Sequence, residues 1–126
     1  MTPAIMQAEK NNINFKLHQY QHDANAASYG LEAAEKLGIS PEKIFKTLVV
    51  NTENKKFAVA IIPVTHQLNL KAMAKVLKTK KVQMADVKRV ESMTGYILGG
   101  VSPLGQKKTL QTVIDDSCNA YQTICV

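Results

Sequence analysis

A mixed α/β domain, in which a curled mixed sheet is flanked by helices, is the fold that the sequence predicts. Three observations carry it. Two apolar, β-branched runs, Ile44 to Val50 and Phe57 to Pro63, flank the polar turn Asn51 to Lys56 and read as a hairpin. Helix and strand patterns intermingle without the regular βαβ alternation of a doubly wound sheet. The 126 residues leave room for one core, so the elements are expected to share a single domain, 1–126.

Taken in order, Thr2 and Pro3 form a cap and first-turn pair, and Ile5, Met6 and Glu9 fit a short amphipathic helix ending near Asn11 and Asn12. Ile13, Phe15 and Leu17 then alternate with Asn14, Lys16 and His18, which predicts a half-buried strand up to about Tyr20. A polar loop from His22 to Ser28 leads to a second helix through Leu31, Ala34 and Leu37, closed by Gly38. Ser40-Pro41-Glu42 starts a brief helical turn before the hairpin. Asn69 caps a helix whose Leu70, Met73, Ala74 and Leu77 hold i, i+3, i+4, i+7 spacing and put Lys71, Lys75 and Lys78 outside. Val82 to Ala85 reads as a short strand, and Asp86 caps a helix through Val87, Val90 and Met93 that Gly95 ends. Tyr96 to Leu98, Thr112 to Ile114 and Ala120 to Val126 read as further strands.

Apolar residues make up 45% of the chain and charged residues 21%, an ordinary globular mixture. The longest apolar stretches, such as Phe57 to Val64, are far shorter than the roughly 20 residues that span a bilayer. The start Met1-Thr2-Pro3-Ala4 lacks a signal pattern, so no membrane partner and a cytoplasmic location are expected. Cys118 and Cys125 stand seven apart and form neither a redox pair nor half a zinc site; they read as buried or idle thiols. With no Trp and only His18, His22 and His66, there is little material for a metal centre or a His-based triad, and neither metal nor cofactor is expected.

The net charge of +6 is uneven: Lys71 to Lys108 carries +7 and the remainder −1. Lys71, Lys75, Lys78, Lys80, Lys81, Lys107 and Lys108 are therefore candidate RNA contacts, since lysines that neutralise phosphates release counterions. A solvated lysine face is the plainer alternative.

Two segments could carry chemistry. Lys46 is a cation within an apolar strand, so it either reaches solvent or faces a cavity that favours positive charge; alternation points it away from Phe45 and Thr47. The run Gly95-Tyr96-Ile97-Leu98-Gly99-Gly100-Val101-Ser102-Pro103-Leu104-Gly105-Gln106-Lys107-Lys108 permits close approach of bare backbone N–H groups to a ligand, or is simply a tight turn. It matches neither a Walker loop nor a dinucleotide fingerprint.

Lys46 and Thr47 within Phe45-Lys46-Thr47-Leu48, the glycine run, the opening Thr2-Pro3-Ala4 and Leu17-His18-x-Tyr20 together resemble the YbaK/EbsC family of aminoacyl-tRNA deacylases, the prolyl-tRNA-synthetase-associated editing domains. The resemblance covers essentially the whole chain. It implies a barrel-like mixed sheet with surrounding helices, no metal, and hydrolysis of the ester of cysteine mischarged on proline tRNA, in some members alongside prolyl-tRNA synthetase. It further implies Lys46 as the residue holding the phosphate or ribose end of the terminal adenosine, with Thr47 lining the same pocket. Tyr20 would stand beside the aminoacyl ester, with Tyr29 as a second aromatic. Gly99 and Gly100 would position the ester carbonyl, followed by Ser102 and Pro103 of the same run. Relatives of this kind continue past Ile124-Cys125-Val126 into a serine- and glycine-rich loop, a strand and a pocket aspartate, so the domain is expected to be C-terminally short.

Beside the deacylase stand two other readings: a non-catalytic module that binds transfer RNA or a synthetase, and a small-nucleotide-binding protein using the glycine loop.

Overall fold

The computed structural model describes residues 2–26 and 28–126. At its centre is the hairpin, formed by β1 (Phe45–Thr52) and β2 (Phe57–Pro63), antiparallel and in register from Phe45 opposite Pro63 to Asn51 opposite Phe57. Val64 N–H donates to Ile44 O at 2.8 Å and extends the ladder by one pair. β3 (Val82–Met84) pairs antiparallel with the far half of β1, and β4 (Gln111–Ile114) pairs parallel with β2. The strand order is β3-β1-β2-β4.

Four helices surround this sheet, and local chemistry sets their ends. α1 (Pro3–Lys10) begins with the Thr2 hydroxyl accepting from Ile5 N–H at 3.2 Å and proline in its first turn, where no N–H is missed. α2 (Tyr29–Leu37) stops at Gly38, whose φ of 65° is a left-handed conformation that glycine adopts without a Cβ clash. α3 (Leu70–Val76) is capped by Asn69, which accepts from Ala72 N–H at 3.0 Å. α4 (Val87–Thr94) follows Asp86, which holds the cap position without a side-chain capping bond, and ends at Gly95. Short 3-10 turns at Pro41–Lys43 and Asp116–Ala120 complete the secondary structure. Among the described residues no helix is long and apolar enough to cross a membrane.

Side chains alternate across the sheet, so each face has its own core. On one face Val50, Ala58, Ala60 and Val82 pack with Met73 and Ala74 of α3, and Leu48 adds to the contact. At the other end of the same face, Ile44 and Val64 pack with Ala34 of α2. The opposite face gathers Phe45, Val59 and Ile61 with Leu110, Cys118 and Ile124. Cys118 and Cys125 are free thiols packed into these two cores.

Several expectations need correction. The sheet is open among the described residues: β3 and β4 are separate edges, three and four residues long, that do not meet, so it is not a closed barrel. The alternation from Ile13 to Leu17 does not produce a strand. That segment pairs with nothing, and Ile13, Phe15 and Leu17 are 44%, 43% and 53% exposed. Alternation supplies an apolar row, but a strand also needs a ladder partner. Tyr96 to Leu98 is a turn instead of a strand, drawn tight by Gly100 N–H donating to Ile97 O at 3.0 Å. Ala120 to Val126 shrinks to a single parallel bridge between Cys125 and Ile44, because the residues before it coil into the 3-10 turn.

Candidate functional site

Lys46 stands opposite Ile62, and strand alternation gives it the same face as Ile44, Leu48 and Val50. Along that face α2 covers the Ile44–Val64 end and α3 the Val50–Ala58 end. Lys46 thus emerges between two helices, half-buried, with no carboxylate within 4.0 Å among the described residues. A partly desolvated ammonium without a counter-ion is suited to an anionic ligand. Thr47 points to the other face, with Phe45 and Val49, so only its backbone lies beside Lys46.

Gly30 determines how closely α2 approaches this face. A Cβ on Gly30 would fall 2.1 Å from Val64 Cγ1, so only glycine lets the first helical turn rest directly on the sheet end. That contact, at the Val64–Ile44 pair, lies two strand positions, roughly 7 Å along the sheet, from the Lys46–Ile62 pair. Gly99 meets the neighbouring Tyr29. With φ at 86°, Gly99 lies so near the Tyr29 ring that an added Cβ would be 2.7 Å from Cε2.

The aromatic wall has a polar backing. Glu32, buried on α2, accepts from His22 Nδ1 and from Asp23 N–H, each at 2.6 Å, and lies 3.1 Å from Lys36 Nζ. Lys36 also donates to Gln21 O. These bonds strap the extended segment 20–23 to the helix. His22 stacks on Tyr29 with ring centroids 4.6 Å apart, and the Tyr20 hydroxyl reaches Tyr29 O at 3.4 Å. The hydrogen bond from His22, then those from Asp23 and Lys36, hold the Glu32 carboxyl down at about 2 from the ordinary 4.5 against an opposing effect of burial. Burial first, and then the Glu32 charge, push the Tyr20 phenol up.

The glycine run is braced from the other side. Tyr96 Oη donates to Leu104 O at 2.7 Å, and Gln106 Nε2 to Ser102 O at 2.9 Å. Ser102 Oγ accepts from Leu104 N–H at 3.2 Å, so its hydroxyl serves the turn, and Pro103 is half-buried. Gly105 abuts α1: a Cβ would lie 2.5 Å from Pro3 carbonyl atoms, and its N–H donates to Gln7. The opening Thr2-Pro3-Ala4 and the glycine run are therefore parts of one contact. Within the run, the Gly100 N–H is taken by Ile97, whereas the Gly99 N–H has no internal partner among the described residues.

The structure thus brings Tyr20 and Gly99 together at Tyr29 on α2, the helix that packs on the Ile44–Val64 end of the sheet. It turns the Thr47 side chain away and assigns Gly100, Ser102 and Pro103 to the loop's own framework. Lys71, Lys75 and Lys78 are exposed on or just beyond α3, as are Lys80 and Lys81 before β3. Lys107 and Lys108 belong elsewhere, with their backbones anchored to Thr94 and Met93 of α4. Glu32, His22 and Lys36 were missed from the sequence. The one signal was the spacing of Tyr29, Glu32 and Lys36 on a single helix face. Among the described residues no three His, Cys, Asp or Glu side chains gather as a metal site would require.

Comparison with known proteins identifies the family. Residues 23–126 match the family model described as the aminoacyl-tRNA editing domain. An Enterococcus faecalis protein described as "Putative Cys-tRNA(Pro)/Cys-tRNA(Cys) deacylase EbsC" is 37% identical over 125 residues, covering 99% of this chain and 76% of that protein. A proline–tRNA ligase of Trichlorobacter lovleyi is 33% identical over 84 residues, 67% of this chain but only 15% of the ligase. Among solved structures, a hypothetical protein superposes with a TM-score of 0.85 at 25% identity, covering 98% of this chain and 79% of that one. A structure described as "a putative trans-editing enzyme for prolyl tRNA synthetase" superposes with a TM-score of 0.79 at 20% identity, over 97% and 75%, which speaks for the fold. The family model and the relative's identity agree, and the chain belongs to the aminoacyl-tRNA editing domain family.

Proposed function

We propose that this chain is a deacylase that hydrolyses the ester of cysteine mischarged on proline tRNA. What supports the reading is that Tyr20 and Gly99 meet Tyr29 on α2, the helix that packs on the Ile44–Val64 end of the sheet face to which alternation assigns the unpaired Lys46. In this reading the Lys46 ammonium holds the phosphate or ribose of the terminal adenosine through charge-assisted contacts. Tyr20 and Tyr29 wall the aminoacyl ester, and the free Gly99 N–H donates to its carbonyl oxygen as negative charge develops there. Gly100, Ser102 and Pro103 shape the loop that presents that N–H, and the backbone at Thr47 borders the same edge.

Among the described residues gathered at this site, no side chain is held as an activated nucleophile. Thr47 faces away, the Ser102 hydroxyl is spent on a turn, and both cysteines sit in the cores. The nucleophile is then the substrate's own thiol. Its sulfur bonds to the carbonyl carbon, the ester C–O bond breaks, and the ribose oxygen takes the proton; water opens the cyclic thioester afterwards. Holding sulfur and carbonyl together supplies the acceleration, since positioning alone can lower a barrier by several kcal/mol.

Hydrolysis of Cys-tRNA(Pro) by the wild type and by Lys46→Ala is the test. A drop on the order of a hundredfold in kcat/KM is expected, matching the loss of a charge-assisted contact of about 3 kcal/mol. Equal rates for the two proteins would remove the assignment. Its cellular setting, a cytoplasmic factor acting alongside prolyl-tRNA synthetase, belongs to the same proposal.

A further inference from the structure

The tip of the hairpin and the turn after α3 are tied together by one carboxylate. Glu53 Oε1 accepts from the Thr79 hydroxyl at 3.3 Å and from Lys80 N–H at 3.2 Å. Each of these turns holds a lysine in the left-handed region, Lys55 at φ 59° and Lys78 at φ 56°. Lys55 closes the hairpin turn in which Lys55 N–H donates to Thr52 O and Thr52 N–H to Lys56 O. Lys78 follows α3, where Thr79 N–H reaches back to Ala74 O. Glycine or asparagine is the ordinary occupant of both positions, because a longer side chain crowds the neighbouring carbonyl.

A lysine at either position carries a conformational cost, and both side chains are exposed. Strain of this kind, kept where glycine would remove it, points to a role for the side chain itself. Lys56, Lys80 and Lys81 adjoin the same two turns and are exposed as well. Five exposed lysines therefore belong to or adjoin the two turns that Glu53 ties together through Oε1. None of the five has a carboxylate within 4.0 Å among the described residues.

The distance from the proposed site is set by β1. Six residues separate Lys46 from Thr52, which at about 3.4 Å each places the tip roughly 20 Å away. The exposed Lys71 and Lys75 are on α3, which packs on the Val50–Ala58 part of the same sheet face. A stacked strand advances about 3.4 Å per nucleotide, so four unpaired nucleotides cover about 14 Å when stacked and more when extended. An RNA whose 3′ terminus reaches Lys46 would then begin its base-paired stem at the lysine tip.

We propose that Lys55 and Lys78, with Lys56, Lys80 and Lys81, form a docking surface for the phosphate backbone of duplex RNA, namely the stem that carries the tail engaged at Lys46. This surface rests on the editing reading given above and names where the body of its substrate binds. The groups are ammonium only, so the contact reads phosphates and is indifferent to base sequence.

Two fluorescent RNAs test it: a hairpin stem with a four-nucleotide 3′ tail ending in CCA, and that tetranucleotide alone. The variant is Lys55→Gly/Lys78→Gly, which removes both strained positions and is expected to melt at the wild-type temperature or above. Its Kd for the tailed hairpin should rise on the order of tenfold, and the slope of log Kd against log salt should shrink by about two. Affinity for the tetranucleotide should not change. The proposal is overturned if the wild type fails to bind the tailed hairpin, if the variant binds it equally well, or if both RNAs weaken alike. Ester hydrolysis reports separately. A chain without deacylation but with stem binding that depends on residues 55 and 78 keeps this surface and loses the enzyme; deacylation with unaltered stem binding does the reverse.

Discussion

Tyr29 and Gly99, seventy positions apart in the chain, meet so closely that the ring occupies the space a side chain at 99 would need. The ring is fixed from behind by its stack on His22, and His22 by Glu32. The helix face, the strapped segment and the glycine loop are thus coupled through one aromatic plane.

Gly99→Ala should therefore act twice. Its backbone would keep a positive φ at a cost of about 1–2 kcal/mol, and its methyl would displace the Tyr29 ring. Thermal unfolding should show the first effect and ester hydrolysis the second. Tyr29→Ala should lower hydrolysis comparably, and the double variant should fall little further, as expected for residues acting through one contact. Fully additive losses in hydrolysis would show that the two act independently.

Glu32 gives a pH signature. Its folded value, about 2, lies below the ordinary 4.5, so its contribution to stability is complete above pH 4.5 and is lost as pH falls towards 2. Melting temperatures of the wild type should fall across that window. Glu32→Gln, with no proton to take up there, should be less stable at neutral pH and flatter below 4.5. Parallel curves for the two proteins would contradict the network.

The row of Ile13, Phe15 and Leu17 lies open to solvent. Phe15→Ser/Leu17→Ser should consequently change unfolding free energy by no more than about 0.5 kcal/mol per site in urea titration. Side chains buried on a paired strand would instead lose about 1.5–3 kcal/mol each.

Much of this fold was legible because its signals are local. The caps at Thr2 and Asn69, the glycine ends at 38 and 95 and the apolar hairpin runs each act within a few residues, and all produce the expected elements. Where partners were needed from elsewhere, the pattern misled: Ile13 to Leu17 has the right alternation and no neighbouring strand, and Ala120 to Val126 keeps only the bridge to Ile44. Lys46 was singled out as a cation in an apolar strand, and alternation already separated it from Thr47. Glu32 could not be found in this way, since its importance lies in segment 20–23 folding back onto α2.

Sequence by itself determined the helices and their ends, the hairpin and the odd chemistry of Lys46 and the glycine run, because caps, turns and alternation are decided by neighbours along the chain. Tertiary structure alone decided that α2 packs on the Ile44–Val64 end of the sheet and that the Gly99 loop meets that helix. That arrangement depends on Gly30 against Val64 and Tyr29 against Gly99, contacts between distant segments whose fit is a matter of ångströms of space and leaves no periodicity to read.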